Sequence, residues 1–377
     1  MKRTKLQQIE LCGFKSYGLS QKIDLKDINV LIGANGSGKS NFISFLEMVS
    51  YLSTDGFIEY VRRNGYSKSM LYNNGKGING GIQGRFNFSN NENIEYTLSF
   101  YGSTAGFIFV KEEGFKYKSK TDPESHEQKI KSDYEFQSGL IELAKKDDKA
   151  KEVLRLLQGC RIFHFNDTSI TSEMRTPSYV NDNAALRANG ANIAAYLLRL
   201  RKAPDYQDYY ERIIRTIREV FPIFDDFVLS PDKPSGSNSN VILDWREKGN
   251  DEIFGPHVLS DGTIRFMALA TLLLQPEELI PGVIILDEPE IGLHPYAIRV
   301  LGRMIRRASK YSQLIISTQS TAMLNEFDYK DILVTEYNQE KRSSIIRRLD
   351  EEHLRVWLDD YSLGELWDKN ILGGNPD

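Results

Sequence analysis

Residues 28–41 read INVLIGANGSGKSN. The apolar run ending at Ile32 reads as a buried strand, and the glycines that follow open a turn onto Lys39 and Ser40. Gly33 to Ser40 satisfies G-x-x-x-x-G-K-[ST], with a strand before it and a helix expected over Lys39–Tyr51 after it. A loop of this kind wraps a phosphate with backbone N–H groups at the positive end of a helix. Gly33, Asn35, Gly36, Ser37, Gly38 and Asn41 are the expected lining, Lys39 reaches the β- and γ-phosphates, and Ser40 coordinates Mg2+.

Three later stretches extend the same chemistry. In GVIILDEPEIGLHP (282–295) a short apolar strand ends at Asp287, where open α/β sheets place their ligands. Asp287 is the expected second Mg2+ residue, and Glu288 is placed to orient or deprotonate an attacking water. QLIISTQS (313–320) is a further strand ending in polar residues, from which Gln319 would sense a γ-phosphate. Phosphoryl transfer needs positioning and charge neutralisation more than covalent help, so Lys39, Mg2+ and Glu288 suffice for hydrolysis of ATP, with GTP as second choice. The third stretch, HVLSDGTIRF (257–266), looks like another helix-opening phosphate grip about 220 residues after the first. It has no lysine. A helix N-terminus with a hydroxyl and no cation suits an anion whose charge is neutralised elsewhere.

Composition sets the bounds. The chain has 377 residues, 40% hydrophobic and 27% charged, with a net charge of −4, so no global basic field advertises nucleic acid or an anionic membrane. Cys12 and Cys160 are the only cysteines, too few for a disulfide framework or a cysteine-rich zinc site. The N-terminus lacks the apolar stretch of a signal peptide and the longest apolar runs are core-sized, so a cytoplasmic protein with no membrane partner is expected. Strands are expected at 5–11, 84–89, 93–102 and 106–113, the last three forming an antiparallel sheet, and a charged helix over 132–157. RIFHF (161–165) returns to strand; helices follow at 191–201 and 206–221, and NVILDW (240–245) is a β segment. From Asp261 onward helix and strand alternate, which predicts parallel strands with crossover helices. The Gly/Asn-rich 73–84 and SGSNSN (235–240) read as turns.

These motifs, in this order, resemble ABC-type ATPases of the SMC/RecF/OLD group, and among them the small AAA family ATPases with an AAA_21-type domain associated with antiphage defence. GFKSYG (13–18) is similar to the N-terminal strand of such heads, GANGSGKSN (33–41) to Walker A, LSDGT (259–263) to the signature, IILDEPEIGLHP (284–295) to Walker B and D-loop, and ISTQS (316–320) to the switch. The resemblance implies an α/β P-loop NTPase fold: an ABC-type ATPase head with mixed β sheets and an inserted helical lobe. Residues 1–130 would be the N-terminal part of the head, 131–222 the lobe, and 223–377 the C-terminal part with its tail. No heptad run is present and the offset between Walker A and signature is short, so no long coiled coil is expected.

In the family two heads dimerise head to tail around ATP. Ser260 and Gly262 would then contact the partner's γ-phosphate, which accounts for the missing lysine. Lys15 would be an ancillary nucleotide contact, and Asn166 or Asp167 would replace the Q-loop glutamine. Asp261 and Thr263 depart from the usual signature toward the SMC/OLD side and away from transporter subunits. A homodimer or higher oligomer is implied, working on a separate effector, a nuclease or toxin, in defence against phage. The alternative is a RecF-like repair ATPase that binds DNA or RNA directly through basic clusters at Arg62-Arg63, Arg199–Lys202, Arg303–Lys310 and Lys341–Arg348. Asp359, Asp360 and Glu365, with no sheet expected to mount them, read as surface charge, while Trp357, Leu363, Leu366 and Trp367 pack the tail.

Overall fold

A computed structural model describes residues 4–54, 56–73, 81–90, 92–103, 106–119, 124–131, 136–233, 238–350, 354, 356–357 and 359–374. Strand β1 (Lys5–Cys12) pairs antiparallel with β2 (Gln21–Asp24), which the sequence reading does not assign. The run at 28–32 is β3 (Ile28–Ile32), buried at every residue, and the phosphate loop delivers it into α1 (Lys39–Leu52). Two short helices, α2 (Phe57–Arg63) and α3 (Tyr66–Met70), precede β4 (Ile82–Ser89), β5 (Glu92–Gly102), β6 (Ile108–Ser119) and β7 (His126–Ile130). With β1 and β2 these make a six-stranded sheet in the order β2-β1-β4-β5-β6-β7. The expected antiparallel sheet is present. Of the two turns read at 73–84 and 235–240, positions 74–80 and 235–237 lie outside the described residues.

Positions 132–135 of the single helix expected over 132–157 lie outside the described residues, and among the described ones it is two, α4 (Leu140–Leu143) and α5 (Asp148–Gln158). Asp147 breaks it: its carboxylate accepts from Ala150 N at 2.7 Å and caps a new helix. The chain then enters β8 (Cys160–Phe163), a two-residue β9 (Ser178–Tyr179), α6 (Ile193–Lys202) and α7 (Gln207–Val220). Segment 131–222 is thus not purely a helical insert, because β8 pairs with the Walker B strand in the central sheet. Strands β10 (Phe224–Val228), β11 (Asn240–Val241), β12 (Asp244–Glu247) and β13 (Ile253–Phe254) form two small sheets, so the β segment read at 240–245 is interrupted.

The last third alternates as expected: α8 (Asp261–Leu274), β14 (Val283–Asp287), α9 (Pro295–Ala308), β15 (Gln313–Ser317) and α10 (Thr321–Leu324). The sequence reading places no sheet beyond it, and the structure corrects this. A hairpin, β16 (Ile332–Asn338) and β17 (Ser343–Arg348), extends the central sheet before α11 (Leu363–Asp368). That sheet runs β17-β16-β3-β15-β14-β8, parallel except for β17. Asp359 and Asp360 are exposed, and Glu365 closes a capping box with Ser362. Leu363, Leu366 and Trp367 are buried, whereas Trp357 stays 40% exposed.

The central sheet divides the core. Alternate residues of β3 and β14, Val30 and Ile284 among them, face a cluster with α6, α7, α8 and α9, while Leu31 and Ile285 face α1, α5 and the antiparallel sheet. Burial on both faces accounts for the unbroken apolar runs of these strands. The longest helices among the described residues have 14 residues, and none is long and apolar enough to cross a membrane.

Candidate nucleotide-binding site

The phosphate loop sits at the C-terminal ends of β3, β14 and β15, which adjacent parallel pairing brings together. Gly38 has φ of +118°, and a β carbon there would lie 2.4 Å from Ser344 Oγ, so only glycine fits. Above Gly36 nothing lies within 4 Å of a β-carbon position. The loop is held from outside the motif. Tyr17 Oη donates to Gly38 O at 3.0 Å, Ala34 N donates to Gly374 O at 2.7 Å, and Ser344 Oγ donates to Ser16 Oγ at 2.7 Å.

Lys39 is 5% exposed, and its Nζ donates back to the carbonyl oxygens of Gly33 and, at 3.1 Å, Ala34. Burial lowers its pKa from the ordinary lysine value, opposed by the nearby charges of Glu288 and Asp287. Ser37 Oγ is buried with no hydrogen-bond partner among the described residues. A buried hydroxyl without a partner and a desolvated ammonium folded onto carbonyls are both groups that a phosphate would satisfy. Asn35 and Ser40 are exposed on the loop. The amide of Asn41, expected at the nucleotide, instead donates to Ser16 Oγ at 2.8 Å.

Across the loop, Asp287 pairs in register with Ser317, whose hydroxyl donates to its carboxylate. Glu288 adopts φ of +45°, a conformation rare for a side-chain-bearing residue, fixed by its N–H donating to Ser317 O at 3.0 Å. Gln319 donates its amide to the Glu288 carboxylate. Asp287, Glu288, Gln319 and Lys39 therefore form one constellation. Ser40 and Asp287 offer a hydroxyl and a carboxylate, the donor set of a Mg2+ shared with phosphates, and so fit that ion. Glu290 lies beneath, 6% exposed, accepting from Thr318, and burial raises its pKa above the ordinary glutamate value.

The remaining sequence-predicted residues have partners of their own. Lys15 Nζ is 5.4 Å above the Phe14 ring and in the field of Glu47, with its pKa lowered by burial. Asp167 turns onto its own loop, accepting from Ser169 N at 3.1 Å, whereas Asn166 borders a small recess shared with Asp287 and Pro289. A concavity of about 730 Å³ opens on the antiparallel sheet, but it shares no residue with the phosphate loop and carries the ion pairs Arg85–Glu10 and Lys116–Glu127.

Ser260 caps α8, its hydroxyl accepting from Thr263 N at 3.2 Å, and stands exposed. Among the described residues no hydrogen bond joins Ser260, Asp261, Gly262 or Thr263 to the phosphate loop. The helix start is buttressed from below. A β carbon on Gly262 would lie 2.3 Å from Gly292 O, and Arg265, 5% exposed, donates to Phe165 O at 3.0 Å, Asn166 O at 3.1 Å and Ile291 O. Sequence reasoning misses Arg175 and Arg265; the signal at Arg265 is a charge within the apolar run TIRFMALATLLL, whereas the polar TSEMRTPS around Arg175 carries none.

A phosphate loop, a strand-end Asp-Glu pair and a neighbouring strand that ends in polar residues lie on one parallel sheet, with an antiparallel sheet packed across α1, which is a P-loop NTPase fold. A family model described as "AAA domain, putative AbiEii toxin, Type IV TA system" matches residues 28–325, and the chain belongs to that family. Among solved structures, it is similar to an Smc head bound to the C-terminal winged-helix domain of ScpA, at 15% identity and a TM-score of 0.57, covering 93% of this chain and 99% of that one. It is also similar to an Smc head domain with an extended coiled coil bound to the C-terminal domain of ScpA derived from Pyrococcus furiosus, at 13% identity and a TM-score of 0.59, covering 95% and 99%. At such identities the likeness is one of fold. No curated protein matches the chain by sequence.

Proposed function

We propose that this chain is a cytoplasmic, nucleotide-gated switch that binds and hydrolyses ATP between two copies arranged head to tail. Lys39 and the loop amides hold the triphosphate in one chain. Ser260 and the Gly262 N–H of the other close over its γ-phosphate. Ser40 and Asp287 would hold Mg2+, which supplies charge neutralisation on the phosphates when bound. Glu288, kept in place by its strained backbone and by Gln319, orients and deprotonates the attacking water, and Gln319 reports the γ-phosphate to the switch strand.

The observation that carries this reading is the signature itself: an exposed, capped helix N-terminus, unconnected to its own phosphate loop among the described residues. Its output is control of a separate effector, a nuclease or toxin, in bacterial defence against phage. The family description, which sets the matched domain itself in a toxin–antitoxin system, supports a place in such a system, and the Smc heads solved with a ScpA domain bound support a protein partner. Direct nucleic-acid binding is the weaker reading, because many guanidinium groups of the basic clusters are engaged within the chain. Arg63 pairs with Glu59, Arg303 with Glu219, Arg306 with Glu326 and Arg347 with Glu336, while Arg199 and Arg201 bind backbone carbonyls.

Glu288→Gln is the test. It should retain ATP and accumulate a stable dimer by light scattering; a variant that stays monomeric with saturating ATP and Mg2+ removes the head-to-tail reading.

A further inference from the structure

The segment leaving β8 returns to the start of α8 through one buried arginine. Arg175 is 4% exposed, and its guanidinium donates to Thr168 O at 3.1 Å, to Pro256 O, to Leu259 O at 3.1 Å and to Asp261 Oδ1 at 3.1 Å. Its ionic partner is the opposite case: the Asp261 side chain is 68% exposed. The pair therefore joins an immobilised cation to a carboxylate that faces solvent at the first turn of the helix.

That carboxylate poses a problem. In the first turn it suits the helix dipole, yet it stands between Ser260 and Gly262, where the proposed partner triphosphate docks. Like charges a few ångströms apart at a surface being closed to water repel strongly. Arg265 is a second cation in the field of Asp261: burial lowers its pKa, opposed by the charges of Asp261 and Glu290.

We propose that Arg175 is a positioning residue that supplies the counter-charge to Asp261, allowing the Ser260–Gly262 helix start to receive the partner chain's phosphates. This rests on the head-to-tail reading. The carbonyl bonds to Pro256 and Leu259 fix the approach to the helix, and the Asp261 bond draws negative charge away from the docking point. Being buried, Arg175 acts through Asp261 and not on the phosphate.

The experiment measures ATP-dependent dimer affinity by analytical ultracentrifugation in the Glu288→Gln background, with Mg2+, at low and high salt. Asp261→Asn should tighten the dimer several-fold, with the gain shrinking as salt rises. Arg175→Met should weaken it about tenfold or more, and adding Asp261→Asn should recover most of that loss. Asp261 is exposed, so its variant tests the idea even if Arg175→Met unfolds. An Asp261→Asn dimer no tighter than the parent, or a folded Arg175→Met that Asp261→Asn does not rescue, overturns the counter-charge role and leaves Arg175 a staple between loops. A parent that never dimerises with ATP is a different result, seen before either variant is made, and it removes the head-to-tail reading and this proposal with it.

Discussion

A single β carbon measures how tightly the signature is tied to the Walker B turn. On Gly262 it would lie 2.3 Å from Gly292 O, a backbone atom that cannot swing aside. Gly262→Ala should therefore push the start of α8 away from the turn after β14. ATP-dependent dimerisation and hydrolysis should fall at least about tenfold, a loss of roughly 1.4 kcal/mol or more, while nucleotide affinity of the monomer falls much less. Steady-state turnover beside equilibrium binding of a fluorescent ATP analogue separates the two, and equal losses would place Gly262 in its own chain's site. At this scale Lys39, Asp287, Glu288 and Gln319 are legible because each belongs to a motif whose chemistry is local in sequence. Tyr17, Ser344 and Gly374 are not. They support the same loop from 16 or more residues away, and Ser344 sits in KRSSIIRR with no chemical signature.

Among elements, the motif-bearing strands and helices are readable from burial on both faces and from the glycines and caps that bound them. The errors have physical causes. The charged run 132–157 has helical composition throughout, but Asp147 offers its carboxylate to a backbone N–H and restarts the helix. Asp147→Ala should cost about 1 kcal/mol, the usual value of an N-cap, read as a lowered denaturation midpoint. Asp148→Ala, which removes only a first-turn charge, should cost less than half of that. The hairpin of β16 and β17 is β-rich in composition, yet nothing local in ILVTEYN says that it joins β3. Pairing partners in a parallel sheet are set by tertiary packing, which sequence order does not encode.

For the whole molecule, the proposed sharing of sites makes a quantitative demand. Lys39→Ala removes the loop's cation and Ser260→Arg blocks the signature, so each homodimer has two dead sites, while a mixed dimer has one site with both parts intact. Mixing equal amounts should restore turnover to about a quarter of wild type per chain if the sites fire independently and pairing is statistical. Titrating the mixing ratio and following phosphate release checks this, and inactivity at every ratio would mean that each chain completes its own site or that both sites must fire together. The sheet order has another consequence. β3 is made well before its neighbours β15 and β16, and Ala34 N donates to Gly374 O. A ribosome translating this message exposes the phosphate motif before its sheet neighbours, and cannot complete the pocket until β15, β16 and the segment around Gly374 have left the exit tunnel. Nascent chains that stop short of β15 and β16 thus carry the motif without the strands that flank it.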